Sequence, residues 1–100
     1  MAKVYITEYS DLARDVPGMI IPVAFEPCVT TQIVAIGGST VQSSAFNAVT
    51  KFVRLHSDAI CSVAFGVNPV ATTSTQRVAA GATEYFKVSP GHKIAVITNT

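Results

Sequence analysis

The sequence predicts an all-β protein: an antiparallel β-sandwich, jelly-roll-like, with about eight strands and no long helix. Three observations predict it. Of 100 residues, fourteen are Val, eight are Ile and eleven are Thr, against only two Leu. Branching at Cβ restricts the rotamers a helix permits and suits a pleated surface. Short runs also alternate apolar and polar residues with period two, as in Val4-Tyr5-Ile6-Thr7. Finally, turn-forming pairs (Pro17-Gly18, Gly37-Gly38, Ala80-Gly81, Pro90-Gly91) punctuate the chain between those runs.

Taken in order, Val4 to Glu8 reads as a first strand with Val4, Ile6 and Glu8 on one face. Tyr9 to Gly18 is a connection of mixed charge, with chemistry for one helical turn at residues 11–14 and Ser10 as its N-cap. Met19 to Phe25 is apolar but broken by Pro22, which has no ladder donor, so it reads as an edge strand or an extended arm. Glu26-Pro27 makes a corner. Val29 to Ile36 follows, with Gln32, Val34 and Ile36 opposite Thr31, Ile33 and Ala35. Gly37-Gly38 reads as a hairpin turn into Ser39-Thr40-Val41, since adjacent glycines supply the two positive φ angles of a type I′ turn.

Phe46 to His56 reads as one long strand. Ser57-Asp58 turns the chain into Ile60–Phe65, whose Cys61, Val63 and Phe65 share a face. Residues 66–75 are a loop. Gln76–Ala79, Thr83–Val88 and Lys93–Thr98 then form a meander, Glu84, Phe86 and Val88 sharing one side. The last strand is apolar on both faces, which predicts a central place in a sheet or a covered outer face. One domain fills residues 1–100, with residues 1–27 able to form an extended arm.

Composition narrows the function. Charged residues make up 13% of the chain, where soluble domains average about 25%. A surface so poor in charge is one that other subunits can cover. The seven cations (Lys3, Arg14, Lys51, Arg54, Arg77, Lys87, Lys93) are scattered singly, so no basic face is expected for nucleic acid. No apolar run approaches the roughly 20 residues of a membrane-spanning helix. The opening Met1-Ala2-Lys3-Val4-Tyr5 reads as strand rather than as a secretory signal. Cys28 and Cys61 form no CxxC and read as free thiols.

Chemistry-bearing clusters are few. His56-Ser57-Asp58 with Cys61 is the one arrangement that resembles a nucleophile, a base and an orienting group. Its spacing puts Cys61 beyond a turn, in the core-facing register, where a thiol holds little thiolate. His56 and His92 lie in distant segments, and the six acids show no calcium-loop or facial-triad spacing. No catalytic, metal or cofactor site is expected. The absence of Trp argues against a sugar-stacking surface, leaving a small hydrolase or lectin as a lesser alternative.

Several phrases resemble small virion proteins of tailed bacteriophages. They are Phe52-Val53-Arg54-Leu55-His56-Ser57-Asp58, Cys61-Ser62-Val63-Ala64-Phe65-Gly66, Asn68-Pro69-Val70-Ala71-Thr72 and Ala80-Gly81-Ala82-Thr83-Glu84-Tyr85-Phe86. The opening Val4-Tyr5-Ile6-Thr7-Glu8-Tyr9 and the Glu26-Pro27 corner are similar too. The resemblance covers most of the chain and implies a jelly-roll or related sandwich serving as a capsid decoration, or cement, subunit. It carries no catalytic residues. The partners it implies are the major capsid protein and further copies of this chain, as dimer or trimer, on the capsid exterior after assembly in the host cytoplasm. A tail-fibre or receptor-binding sandwich module is the alternative. Tyr5, Tyr9, Leu12, Arg14 and Phe25, in the least regular part of the sequence, are the candidate capsid or oligomer contacts.

Overall fold

The protein, described by a computed structural model over residues 2–14 and 17–100, is all-β. Ten strands run in the order β1 (Lys3–Tyr9), β2 (Leu12–Arg14), β3 (Ile20–Ala24), β4 (Thr30–Ala35), β5 (Val41–Gln42), β6 (Phe52–Ser57), β7 (Cys61–Gly66), β8 (Gln76–Val78), β9 (Thr83–Lys87) and β10 (Lys93–Thr98). Eight of them form two four-stranded antiparallel sheets, ordered β4-β1-β6-β9 and β5-β10-β7-β8. The other two, β2 and β3, make a separate ribbon.

Alternation explains how the sheets face one another. Val4, Ile6, Val34, Val53 and Leu55 from the first sheet meet Cys61, Val63, Val78, Ile94 and Val96 from the second in one buried core. Burying a large aliphatic side chain contributes about 1.5–3 kcal/mol, so this shared core holds the two layers together. Phe65 and Phe86 close it at one end, with ring centroids 4.9 Å apart.

The second sheet is covered on its outer side as well. Ser62 and Ala95 lie on that outer side by alternation, yet both are fully buried. The loop of residues 67–75 lies over them. Gln42 donates to Asn68 Oδ1 (2.8 Å) and to the Pro69 carbonyl (2.9 Å). Ala71 N–H donates to Thr40 Oγ1 (3.0 Å), and Asn99 Nδ2 donates to Ser62 Oγ (2.6 Å). This is why β10 is apolar on both faces: it is central and its outer side is roofed. The open face of the sandwich belongs to the first sheet.

Several expectations from the sequence are corrected. The Gly37-Gly38 hairpin does not form: β4 and β5 lie in different sheets, and neither glycine adopts a left-handed φ. Ile36 remains in the core and gives its N–H to the Ala2 carbonyl (3.0 Å), while Gly37 O accepts from Thr98 N–H (2.9 Å). The chain thus crosses from one layer to the other there. The C-terminal meander is likewise absent, because β8, β9 and β10 alternate between sheets. Gly81 (φ 72°) and Gly91 (φ 80°) supply the left-handed backbone at these crossings.

Residues 46–51 are not strand. Thr50 N–H donates to the Asn47 carbonyl (3.0 Å), closing a turn that leaves Val49 exposed and Thr50 buried. Nor is residues 1–27 an arm, since β1 is a central strand between β4 and β6. Only the ribbon stands apart. Its residues 12–14 are strand rather than a helical turn, because Leu12 pairs with Ala24 and Arg14 with Ile20. Among the described residues there is no helix.

Candidate functional site

The root of the ribbon is built on the end of β1. Tyr9 is buried, 5% exposed, with its ring stacked on Phe52 at 5.2 Å and 22°. Phe52 in turn meets Tyr85 at 6.4 Å. These three residues come from adjacent strands and share the outer face, as Tyr9↔Phe52 and Arg54↔Tyr85 pairing requires. Aromatic neighbours at such distances add about 0.5–1.5 kcal/mol beyond their burial. Tyr9 OH donates to Glu26 Oε2 at 2.8 Å. Burial, the hydrogen bond to Glu26 and the carboxylate's charge push the Tyr9 phenol up to about 12. Phe25 N–H donates to the Asp11 carbonyl (3.1 Å), and Val29 N–H donates to that of Glu8 (2.8 Å). The ribbon is therefore fastened at its base on both strands.

Beyond the base the ribbon is apolar and uncovered. Met19, Ile20, Val23 and Phe25 are 69%, 58%, 55% and 52% exposed. Arg14 braces the tip, its Nη1 donating to the Gly18 carbonyl (3.3 Å) and its Nε lying 3.5 Å from Asp11 Oδ2. An exposed ion pair of this kind contributes little to stability.

Between ribbon and sheet lies a groove of about 570 Å³, a volume in the range of ligand and peptide sites. Leu12, Pro22, Val23 and Ala24 line it on the ribbon side; Phe52, Tyr85 and Phe86 line it on the sheet side. Lys51 and Lys87 flank it, and no acid lines it.

On the inward face at the same end of β1, Glu8 is 1% exposed. Its Oε1 accepts from Thr50 Oγ1 (2.7 Å) and Asn47 N–H (2.9 Å), and its Oε2 accepts from Gln32 Nε2 (2.9 Å). Gln32 also pairs with the Ser44 backbone in both directions. Glu8 is thus a structural pin that fixes the loop of residues 43–50 against β1 and β4.

Of the five residues expected as contacts, four gather at the ribbon. Leu12 is half-buried in the groove wall, Arg14 braces the tip, and Phe25 is exposed at the base. Tyr9 anchors the ribbon from beneath and is 5% exposed. Tyr5 lies apart, partly exposed on the open face between Ile33 and His56. Sequence reasoning missed Phe52, Tyr85, Lys51 and Lys87. The outward positions of Phe52, Tyr85 and Lys87 followed from alternation, but that of Lys51 and the pairing of β6 with β9 that assembles them did not.

The cluster around His56 is divided by the sheet. His56 is on the outer face, with Nδ1 2.8 Å from Thr83 Oγ1. Ser57 and Cys61 are buried, Oγ and Sγ 3.4 Å apart, and Ser57 Oγ donates to the Ala59 carbonyl. Asp58 accepts from the Lys3 N–H (3.2 Å). Burial pushes the Cys61 thiol up, so it is held as thiol. Both cysteines are free, and among the described residues no group of three His, Cys, Asp or Glu is placed to hold a metal ion. The chain matches no protein-family model, no curated protein and no solved structure.

Proposed function

We propose that this protein is a structural virion subunit that decorates a phage capsid and stabilises it by bridging neighbouring major capsid subunits. The observation that carries this reading is the ribbon. A stiff, charge-poor sandwich holds out a fastened apolar strand pair whose large side chains are left uncovered. Apolar patches of this size on a small protein mark surfaces that another protein covers. Copies arranged on a symmetric shell engage together, so individually weak contacts add through effective concentration.

The strand order supports the same reading. Setting the ribbon aside, the sheets read β4-β1-β6-β9 and β5-β10-β7-β8. If β4, β5, β6, β7, β8, β9, β10 and β1 are lettered in that sequence from B to I, the sheets become B-I-D-G and C-H-E-F. We read that order as a jelly roll, in which two Greek keys fill two facing sheets, with the last strand moved to the front of the chain. Viral capsid domains, lectins and cupins use that architecture.

Quantitative mass spectrometry of purified phage particles tests the proposal. Hundreds of copies per particle support a shell subunit. A handful would reassign the protein to a tail module, and none would remove it from the virion.

A further inference from the structure

We infer that the groove beside the ribbon receives the ribbon of a second copy of this chain, so that copies clasp one another by exchanged ribbons. The inference shares with the capsid reading only the premise that the ribbon is an interface.

Each copy carries both halves of the contact. Leu12, its cross-strand partner Ala24, and Pro22 and Val23 beside it form the ribbon's wall of the groove. Ile20, Ile21 and Phe25 do not line it and are exposed. One set of ribbon side chains therefore builds a groove, and another, led by Ile21 and Phe25, has the apolar character to fill one. The chain's own ribbon cannot fill its own groove with that second set, because both strands are fastened at the base by the Phe25–Asp11 and Tyr9–Glu26 hydrogen bonds. A second copy supplies the missing half without any foreign partner having to complement two surfaces at once.

Charge and area agree with that occupant. Lys51 and Lys87 flank the groove, and Glu26, exposed, follows Phe25 directly. A ribbon seated through Phe25 brings a carboxylate toward two ammonium groups. The uncovered apolar side chains of one ribbon amount to roughly 500 Å², at the upper end of what a monomer leaves exposed. A reciprocal exchange buries a ribbon and a groove on both copies, which reaches the order of the 1,200–2,000 Å² found in specific interfaces. Because each copy offers both a groove and a ribbon, closure requires symmetry. A two-fold exchange gives a dimer and a cyclic one gives a trimer, whereas an open chain leaves a ribbon bare.

Analytical ultracentrifugation of the purified full chain, with no particles present, decides the matter. The wild type is expected as dimer or trimer at micromolar concentration. A ribbon variant (Ile21→Lys with Phe25→Ser) and a groove variant (Tyr85→Lys) are each expected as monomer, with far-UV circular dichroism and a cooperative melt unchanged in kind. Mixing the two variants should restore association, since one keeps an intact groove and the other an intact ribbon. Excising residues 12–24 and joining Asp11 to Phe25 through Asn-Gly gives a second ribbonless form, also expected as monomer. A wild type that stays monomeric to about 100 μM, above the affinity such an interface supports, overturns the inference. So does an oligomer indifferent to these variants, or a mixture that fails to associate. A monomeric wild type still abundant on particles would sink ribbon exchange and leave the capsid reading standing.

Discussion

Glu8 sits where alternation demands a core residue, and its replacement tests how the loop of residues 43–50 is held. In Glu8→Ala three donors lose their acceptor: the Thr50 hydroxyl, the Asn47 N–H and the Gln32 amide. Thr50 is fully buried, so water cannot readily replace its partner, and an unsatisfied buried group costs about 1–3 kcal/mol. Asn47 is exposed and Gln32 partly so, so their losses are smaller, while removal of a buried carboxylate returns some desolvation energy. The expected net cost is about 3 kcal/mol, a large share of the 5–15 kcal/mol that holds an ordinary domain. In a chain of this size it lowers Tm by roughly 10–20 °C. Glu8→Gln keeps an oxygen for Thr50 and Asn47 but turns an NH2 toward the Gln32 amide, and should cost about 1–2 kcal/mol. Urea unfolding followed by circular dichroism measures both. Combining Glu8→Gln with Thr50→Val should show non-additive losses, since the two groups share one bond. A Glu8→Ala midpoint within about 0.5 kcal/mol of wild type, the range of an ordinary surface change, would refute the pin.

Two further outcomes follow from shifted groups. Tyr9 ordinarily titrates near 10 and is pushed up to about 12 in the fold, so the protonated phenol is the form the fold prefers. Its contribution is complete below pH 10 and disappears as pH rises from 10 through 12. Absorbance at 295 nm should contain a step near pH 12 that Tyr9→Phe removes, and that variant should lose about 1 kcal/mol at neutral pH with the hydrogen bond to Glu26. Cys61, buried and with its thiol pushed up, should resist aromatic disulfide reagents until the protein unfolds. Half-buried Cys28 should react in the native state, giving one fast and one unfolding-gated thiol in a stopped-flow titration.

Strand positions and facing were legible because alternation is a local property. Val4 and Ile6, Cys61 and Val63, and Ile94 and Val96 each declare an inward side from two or three neighbours in sequence. Sheet membership was not legible, because Gly37-Gly38 and Pro90-Gly91 say that the chain reverses and not which strand it meets afterwards. That choice rests on distant partners: Ile36 with Ala2, Gly37 with Thr98, β10 with β5 and β7. The break before β6 was hidden for a related reason, since Asn47 and Thr50 turn the chain through a carboxylate about forty residues earlier. Asp11 illustrates competition between local and tertiary preferences. Its carboxylate does accept the Leu12 N–H (2.8 Å), but pairing with β3 draws residues 12–14 into a strand. The ribbon itself was visible as a proline-broken apolar stretch, whereas the groove beside it needed β6 and β9 to be neighbours.

The strand order makes a last demand on the chain. A sandwich whose first strand pairs between β4 and β6 can be permuted to place that strand last if the two ends of the sandwich chain lie close together. They do: Ala2 O and Thr98 N–H bond to the consecutive residues Ile36 and Gly37, and the short segment after β6 binds Lys3 through Asp58 and Asn99 through Ile60. A permutant that begins at Gly18, runs to Thr100, crosses a Gly/Ser linker of about four residues at roughly 3.4 Å each, and continues from Ala2 to Pro17 keeps every sheet pairing. It cuts only the ribbon tip, where no sheet pairing is lost. The permutant should therefore fold with a wild-type far-UV spectrum and a stability within about 1–2 kcal/mol of the parent, the loss arising from a longer closed loop and a frayed ribbon. It should also associate less well, because the ribbon is the only element it loosens. A permutant that folds only as a molten species would show that β1 must be laid down first, and that the order of strands along the chain, rather than their arrangement in the sheets, governs this sandwich.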